Sequence, residues 1–121
     1  MRIFLVCPVR GHDQSEYLHY VEQLEKSGHV VHYPPRDTDQ NDDTGLRICE
    51  DNRRAIEEAD EVHVIWDGQS QGALFDIGMA FMLRKKIVAV SLPERTPTKS
   101  FQNMIAEYAA REFGRVKVEA K

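Results

Sequence analysis

Asp76 stands where a carboxylate is out of place. The stretch Ser70-Gln71-Gly72-Ala73-Leu74-Phe75-Asp76-Ile77-Gly78-Met79-Ala80 is otherwise largely apolar or small from Gly72 onward, and removing a carboxylate from water is costly. One reason for such a placement is structural: an acidic side chain early in a helix complements the positive end of its dipole. The other is chemical. A partly buried carboxylate at the ligand-binding edge of an α/β sheet suits nucleophilic attack on a glycosidic carbon, with a covalent glycosyl intermediate. Gly78 and Ala80 are small and allow a ligand or a neighbouring element to come close. Position alone leaves the two readings balanced.

Arg10 and Gly11 form the second candidate. They follow the first apolar run, where a glycine lets the backbone approach an anion and the next helix N-terminus faces it. An ordinary solvated loop reads the same way, and the fingerprint G-x-G-x-x-G is absent. Ser70 and Gly72 carry a similar pair of readings, with Ser70 as a helix N-cap or as a ligand contact, and both roles are compatible. His12, His19, His29, His32 and His63 share no paired spacing on one helix face, so no metal and no cofactor is assigned. Trp66 reads as packing.

The elements that position these residues follow from the apolar runs. Val62–Trp66 predicts a strand, Asp67–Ser70 a polar turn, Gly72–Leu83 a helix buried on two faces, and Ile87–Val90 a strand, making one βαβ unit. Upstream, Ile3–Cys7 predicts a central strand ended by Pro8. Asp13 with Glu16 reads as a capping box opening a helix that Ser27-Gly28 closes. Val30–Tyr33 predicts a strand, Arg36–Thr44 an acidic, mobile surface loop, and Leu46, Cys49, Ile56 and Ala59 the buried stripe of a helix. A proline-rich loop, an amphipathic helix carrying Phe101, Ile105, Tyr108 and Ala109, and an alternating segment Arg115–Glu119 complete the chain. That last segment is expected as a fifth, edge strand. Strict alternation predicts a single α/β domain over 1–121, a three-layer Rossmann- or flavodoxin-like open parallel sheet of four or five strands with helices on both faces. Ligands in such folds sit at the carboxyl ends of the strands. Three loops are therefore expected to converge, 8–12, 67–72 and 91–100.

Composition bounds the function. A net charge of −4 over 121 residues argues against a nucleic-acid polymer as partner, and no apolar run approaches the length that spans a bilayer. No secretory leader is visible at the start. Cys7 and Cys49 match no metal spacing and fit a reducing compartment, so a cytoplasmic location is expected.

The segment Ser70-x-Gly72-x-x-x-Asp76-x-Gly78-x-Ala80, followed by Lys86-Ile87-Val88-Ala89-Val90, resembles the signature of the nucleoside 2-deoxyribosyltransferase family, which includes 2'-deoxynucleoside 5'-monophosphate N-glycosidases. Cys7-Pro8-Val9-Arg10-Gly11 resembles the first-strand loop of the nucleotide-cleaving branch. The resemblance implies Asp76 as nucleophile and Asp51 as the aspartate contacting the nucleobase, with a catalytic role in protonating or orienting the leaving base. It implies Arg10, Gly11, Ser70 and Gly72 around a 5'-phosphate, and Ser100 or Asn103 as a contact often supplied by a neighbouring subunit of a homodimer or higher oligomer. Two departures stand out. The family nucleophile is glutamate where this chain has Asp76, and a family tyrosine that positions it falls at Phe4.

The expected ligand is thus a small nucleotide or nucleoside, and the expected reaction is cleavage or transfer at its N-glycosidic bond. The alternatives are a non-catalytic nucleotide-sensing module with a degenerate site and a small interaction domain with a vestigial cleft. Product formation separates the first from both, and ligand-induced stabilisation separates the other two.

Overall fold

In the computed structural model, which describes residues 1–113, every strand of the sheet is parallel and the order is β2-β1-β3-β4. The elements run β1 (Arg2–Val6), α1 (Ser15–Lys26), β2 (Val30–His32), α2 (Pro34–Asp37), α3 (Leu46–Glu58), β3 (Glu61–Ile65), α4 (Gln71–Met82), β4 (Lys86–Ser91) and α5 (Phe101–Tyr108), with a π-helical turn over Ala109–Phe113. The fold is α/β and flavodoxin-like. The fifth strand expected at 115–119 lies outside the described residues.

Side-chain alternation along the central strands divides the core in two. Phe4 and Val6 of β1, Val62 and Val64 of β3, and Ile87 of β4 pack against Ile56 of α3, Ala73, Ile77 and Ala80 of α4, and Ile105 of α5. Ile3, Leu5 and Cys7 face the other way, with Val31, Tyr33 and Val21 of α1. Both faces of the sheet therefore carry helices, α3, α4 and α5 on one side and α1 on the other. His63, on the α1 side, is buried between the Tyr20 hydroxyl at 2.6 Å and Glu61 Oε1 at 2.9 Å. No helix among the described residues is long and apolar enough to cross a membrane.

Four local expectations change. Helix α1 starts at Ser15, with Gln14 in the cap position and no side-chain cap bond. Asp13 Oδ1 instead accepts from the Ser15 amide and hydroxyl, both at 2.9 Å, one step outside the helix. Pro34-Pro35 does not merely end β2. It opens α2, because a proline's fixed φ and missing N–H suit the first helical turn. The acidic segment that follows is tied down: Thr38 is buried, and Arg47 Nη2 donates to the carbonyls of Asp39 and Asn41. Helix α4 is buried on one face only in a single chain. Ala73, Asp76, Ile77 and Ala80 are inside, whereas Phe75 is 57% and Met82 80% exposed.

The carboxyl ends of the strands are held together by the loops. An extra residue in β4 between its pairings with Val64 and Ile65 makes a bulge, and the Trp66 amide donates to the Ser91 carbonyl at 2.9 Å. Gly68 has φ +80°, and a Cβ there would lie 2.9 Å from Pro93 Cγ, so only glycine fits where these loops touch.

Candidate active site

Asp76 lies in the second turn of α4 with 9% of its surface exposed. Its helix neighbours Ile77 and Ala80 enter the core, and the same helix phase carries Asp76 inward, against the end of β1 and the face of α3. Burial pushes its carboxyl up from the usual range to about 7, against a hydrogen bond from the Asn52 side chain that pulls it down. The Cys7 thiol just beyond β1 is pushed up to about 12, mainly by burial and then by the Asp76 charge. Cys49 of α3 is raised by burial, by Asp76 and by Asp42. These effects place Asp76 close to Cys7, Cys49 and Asn52, in surroundings that favour a neutral acid until a ligand or a donor holds the charge.

The turn before α4 is rigid. Asp67 Oδ1 accepts from the amides of Gln69 and Ser70, each at 2.8 Å, and Trp66 Nε1 donates to the Ser70 carbonyl at 2.9 Å. Ser70 is the N-cap, its Oγ accepting from the Ala73 amide at 3.2 Å. The hydroxyl proton is not used in that bond. Gly72, in the first turn of α4, is exposed, and an added Cβ would meet nothing within 4 Å.

The loop after β1 lies beside this turn because β1 and β3 are adjacent and parallel. His12 Nε2 is 3.4 Å from Asp67 Oδ2, so the two loops touch. Gly11 has φ +73°, a left-handed conformation natural to glycine. Arg10 is exposed and makes no ion pair with a described residue. Among the described residues no cluster of three or more histidines, cysteines and carboxylates is placed to hold a metal ion.

The profile of the family described as nucleoside 2-deoxyribosyltransferase matches residues 3–116. The chain belongs to that family. Among solved structures it is similar to a 2-deoxyribosyltransferase from the psychrotolerant bacterium Bacillus psychrosaccharolyticus, with a TM-score of 0.70, 20% identity, and coverage of 89% of this chain and 82% of that one. That structure was described as a biocatalyst for the synthesis of antiviral and antitumoral nucleosides. No curated protein matches.

Within this deoxyribosyltransferase fold the remaining candidate residues fall in different places. Asp51 sits on α3 with Oδ2 2.8 Å from Arg47 and Oδ1 3.2 Å from Arg54. The next residue, Asn52, is the one turned toward Asp76. Ser100 caps α5, accepting from the Asn103 amide at 3.2 Å. Asn103 is bonded to Thr96 and Thr98 at 2.8–3.0 Å, and both Ser100 and Asn103 line a groove with Phe81 and Lys99, in whose lining Asp76 has no part. Phe4 is fully buried and stacks on His32, with centroids 5.3 Å apart.

Reading the sequence missed Asn52, Thr38 and His32. A signal for Asn52 exists: Cys49, Asn52, Ile56 and Ala59 share helical spacing, and a polar residue within an otherwise apolar stripe marks a buried polar contact. Thr38 and His32 carry no comparable signal, because their contacts depend on tertiary register.

Proposed function

We propose that this deoxyribosyltransferase-family chain cleaves or transfers at the N-glycosidic bond of a (deoxy)nucleoside 5'-monophosphate, with Asp76 as the nucleophile. The observation that carries the reading is the buried Asp76 carboxylate in the second turn of α4, the helix entered from the turn that meets the β1 loop through Asp67 and His12. Ionised Asp76 attacks C1' of the sugar, the C1'–N bond breaks with its electron pair leaving on the base, and a glycosyl ester forms. Each oxygen of Asp51 already accepts from a guanidinium, which suits accepting a base N–H. The departing base takes its proton from solvent. Water then opens the ester in hydrolysis, or a second base does so in transfer.

The 5'-phosphate is assigned to Arg10, the Gly11 backbone, the Ser70 hydroxyl and the open first turn at Gly72. Arg10, which makes no ion pair with a described residue, and the N-terminus of α4 favour an anion there. Charge-assisted hydrogen bonds are worth about 1.5–3 kcal/mol, which at about 1.4 kcal/mol per decade gives roughly a ten- to hundredfold preference for the monophosphate over the nucleoside. The test is incubation with matched nucleosides and 5'-monophosphates and chromatographic detection of the free base. Arg10→Ala reduces the preference and Ser70→Asp erases or inverts it. Asp76→Ala abolishes release while binding persists, and Asp76→Glu, longer by about 1.5 Å, raises turnover if reach limits attack. Binding of monophosphates without release of base would instead favour the sensing module, and equal binding of nucleoside and monophosphate would remove the phosphate assignment.

A further inference from the structure

The polar groups behind Asp76 form a chain with one direction. Asn52 Oδ1 accepts the Thr38 hydroxyl at 2.8 Å, which leaves the Nδ2 hydrogens for the Asp76 carboxyl, a group that only accepts when ionised and whose pKa the Asn52 side chain lowers. Thr38 has one O–H and has donated it, so its Oγ1 accepts from His32 Nε2, also 2.8 Å away. The imidazole therefore carries a proton on Nε2. Burial, the largest of several influences on it, pushes the His32 pKa down, which favours the neutral ring. Phe4 fixes the ring plane, stacked on it with the planes 8° apart, because β1–β2 register sets Phe4 opposite His32. Thr38 and Asn52 are 4% and 5% exposed.

We propose that Asn52 is a positioning residue for Asp76, locked by Thr38 and His32, and that this His32–Thr38–Asn52 relay holds the carboxylate in its attacking orientation. The inference rests on Asp76 being the nucleophile. A short aspartate has little reach, and Phe4 has no hydroxyl to orient it. An amide bonded at both ends cannot swing, and its donor strengthens as charge settles on Asp76. The other titratable groups around Asp76 are the thiols of Cys7 at the end of β1 and Cys49 on α3, both raised and thus uncharged near neutral pH. Its neighbours along α4 are apolar.

Thr38→Val tests the relay, since it removes the hydroxyl at nearly constant volume and leaves Asn52 and Asp76 in place. Two quantities are measured: the titration midpoint of the Asp76 carboxyl by 13C NMR, assigned with Asp76→Asn, and kcat and KM for base release. The expected result is a higher midpoint, because the Asn52 donor is loosened, with kcat about tenfold lower and KM within about twofold. Thr38→Ser restores both. His32→Leu removes the outermost donor and gives the same changes at smaller size, and it serves if Thr38→Val does not fold. An unmoved midpoint overturns the relay, and so does an unchanged kcat in an active protein, even where thermal stability falls. If the parent chain releases no base, the nucleophile assignment fails by itself. The midpoint then still decides whether the relay holds the carboxylate.

Discussion

As the proposed nucleophile, Asp76 would serve chemistry and stability in opposite directions. Its burial raises the carboxyl from 3.8 to about 7, so the native chain holds a proton between about pH 4 and 7 that the unfolded chain has released. Stability therefore falls as pH rises through that window and is level above it. Each unit corresponds to about 1.4 kcal/mol, so a rise of about three units gives a loss on the order of 4 kcal/mol, the lowering by the Asn52 bond being already included. Asp76→Asn is expected to flatten the stability–pH curve and to raise the melting temperature at pH 8, while releasing no base. Attack requires the ionised form, so kcat/KM of the parent climbs through an acid limb near pH 7 and levels off above it. Denaturation curves at several pH values check the first expectation. A parent slope that persists in Asp76→Asn would show that another group titrates.

At the scale of elements, the start of α4 joins a cap and the proposed phosphate contact in one residue. Ser70 caps the helix, so Ser70→Ala is expected to cost about 1 kcal/mol. Asp is as good a cap as Ser, so Ser70→Asp keeps the melting temperature and changes only the phosphate preference; a large fall in stability would mean that the hydroxyl is held in some other way. Gly68→Ala is expected to destabilise by more than Ser70→Ala, since it combines a positive φ with a clash on Pro93. Much of this was legible in the sequence. Apolar runs marked all four strands, the turn at 67–70 was readable from its polar residues, and Asp76 was conspicuous as a charge in an apolar helix. Other features were not legible, for physical reasons. Pro34-Pro35 signals a break and a helix start with the same residues. Asp51 and Asn52 are adjacent and differ by about a hundred degrees around α3, so only the helix phase tells which one meets Asp76. The His32–Thr38–Asn52 relay joins a strand, a loop and a helix, and no local pattern encodes that meeting.

At the scale of the molecule, the outer face of α4 remains unaccounted for within one chain. Leu74, Phe75, Met79, Met82 and Leu83 line a groove of about 490 Å³ rimmed by Arg53 and Gln71, and Phe81 opens on a second groove with Ser100 and Asn103. An all-apolar helix looks doubly buried in sequence because sequence does not say which chain supplies the cover. Fully burying a phenylalanine or methionine side chain contributes about 1.5–3 kcal/mol, and contiguous exposed apolar surface of this kind marks an interface. The family resemblance implies a homodimer, and covering this face with a second copy would bring two α4 helices together and carry Ser100 and Asn103 toward the partner's site. Sedimentation is therefore expected to show a dimer at micromolar concentration. Phe75→Arg sets a desolvated charge in the groove and is expected to yield a folded monomer, with circular dichroism unchanged. If Ser100 and Asn103 act across the interface, turnover falls with dissociation and returns at protein concentrations that restore the dimer. A Phe75→Arg monomer with full turnover would show that each site is complete in one chain, and would confine Ser100 and Asn103 to building the loop before α5.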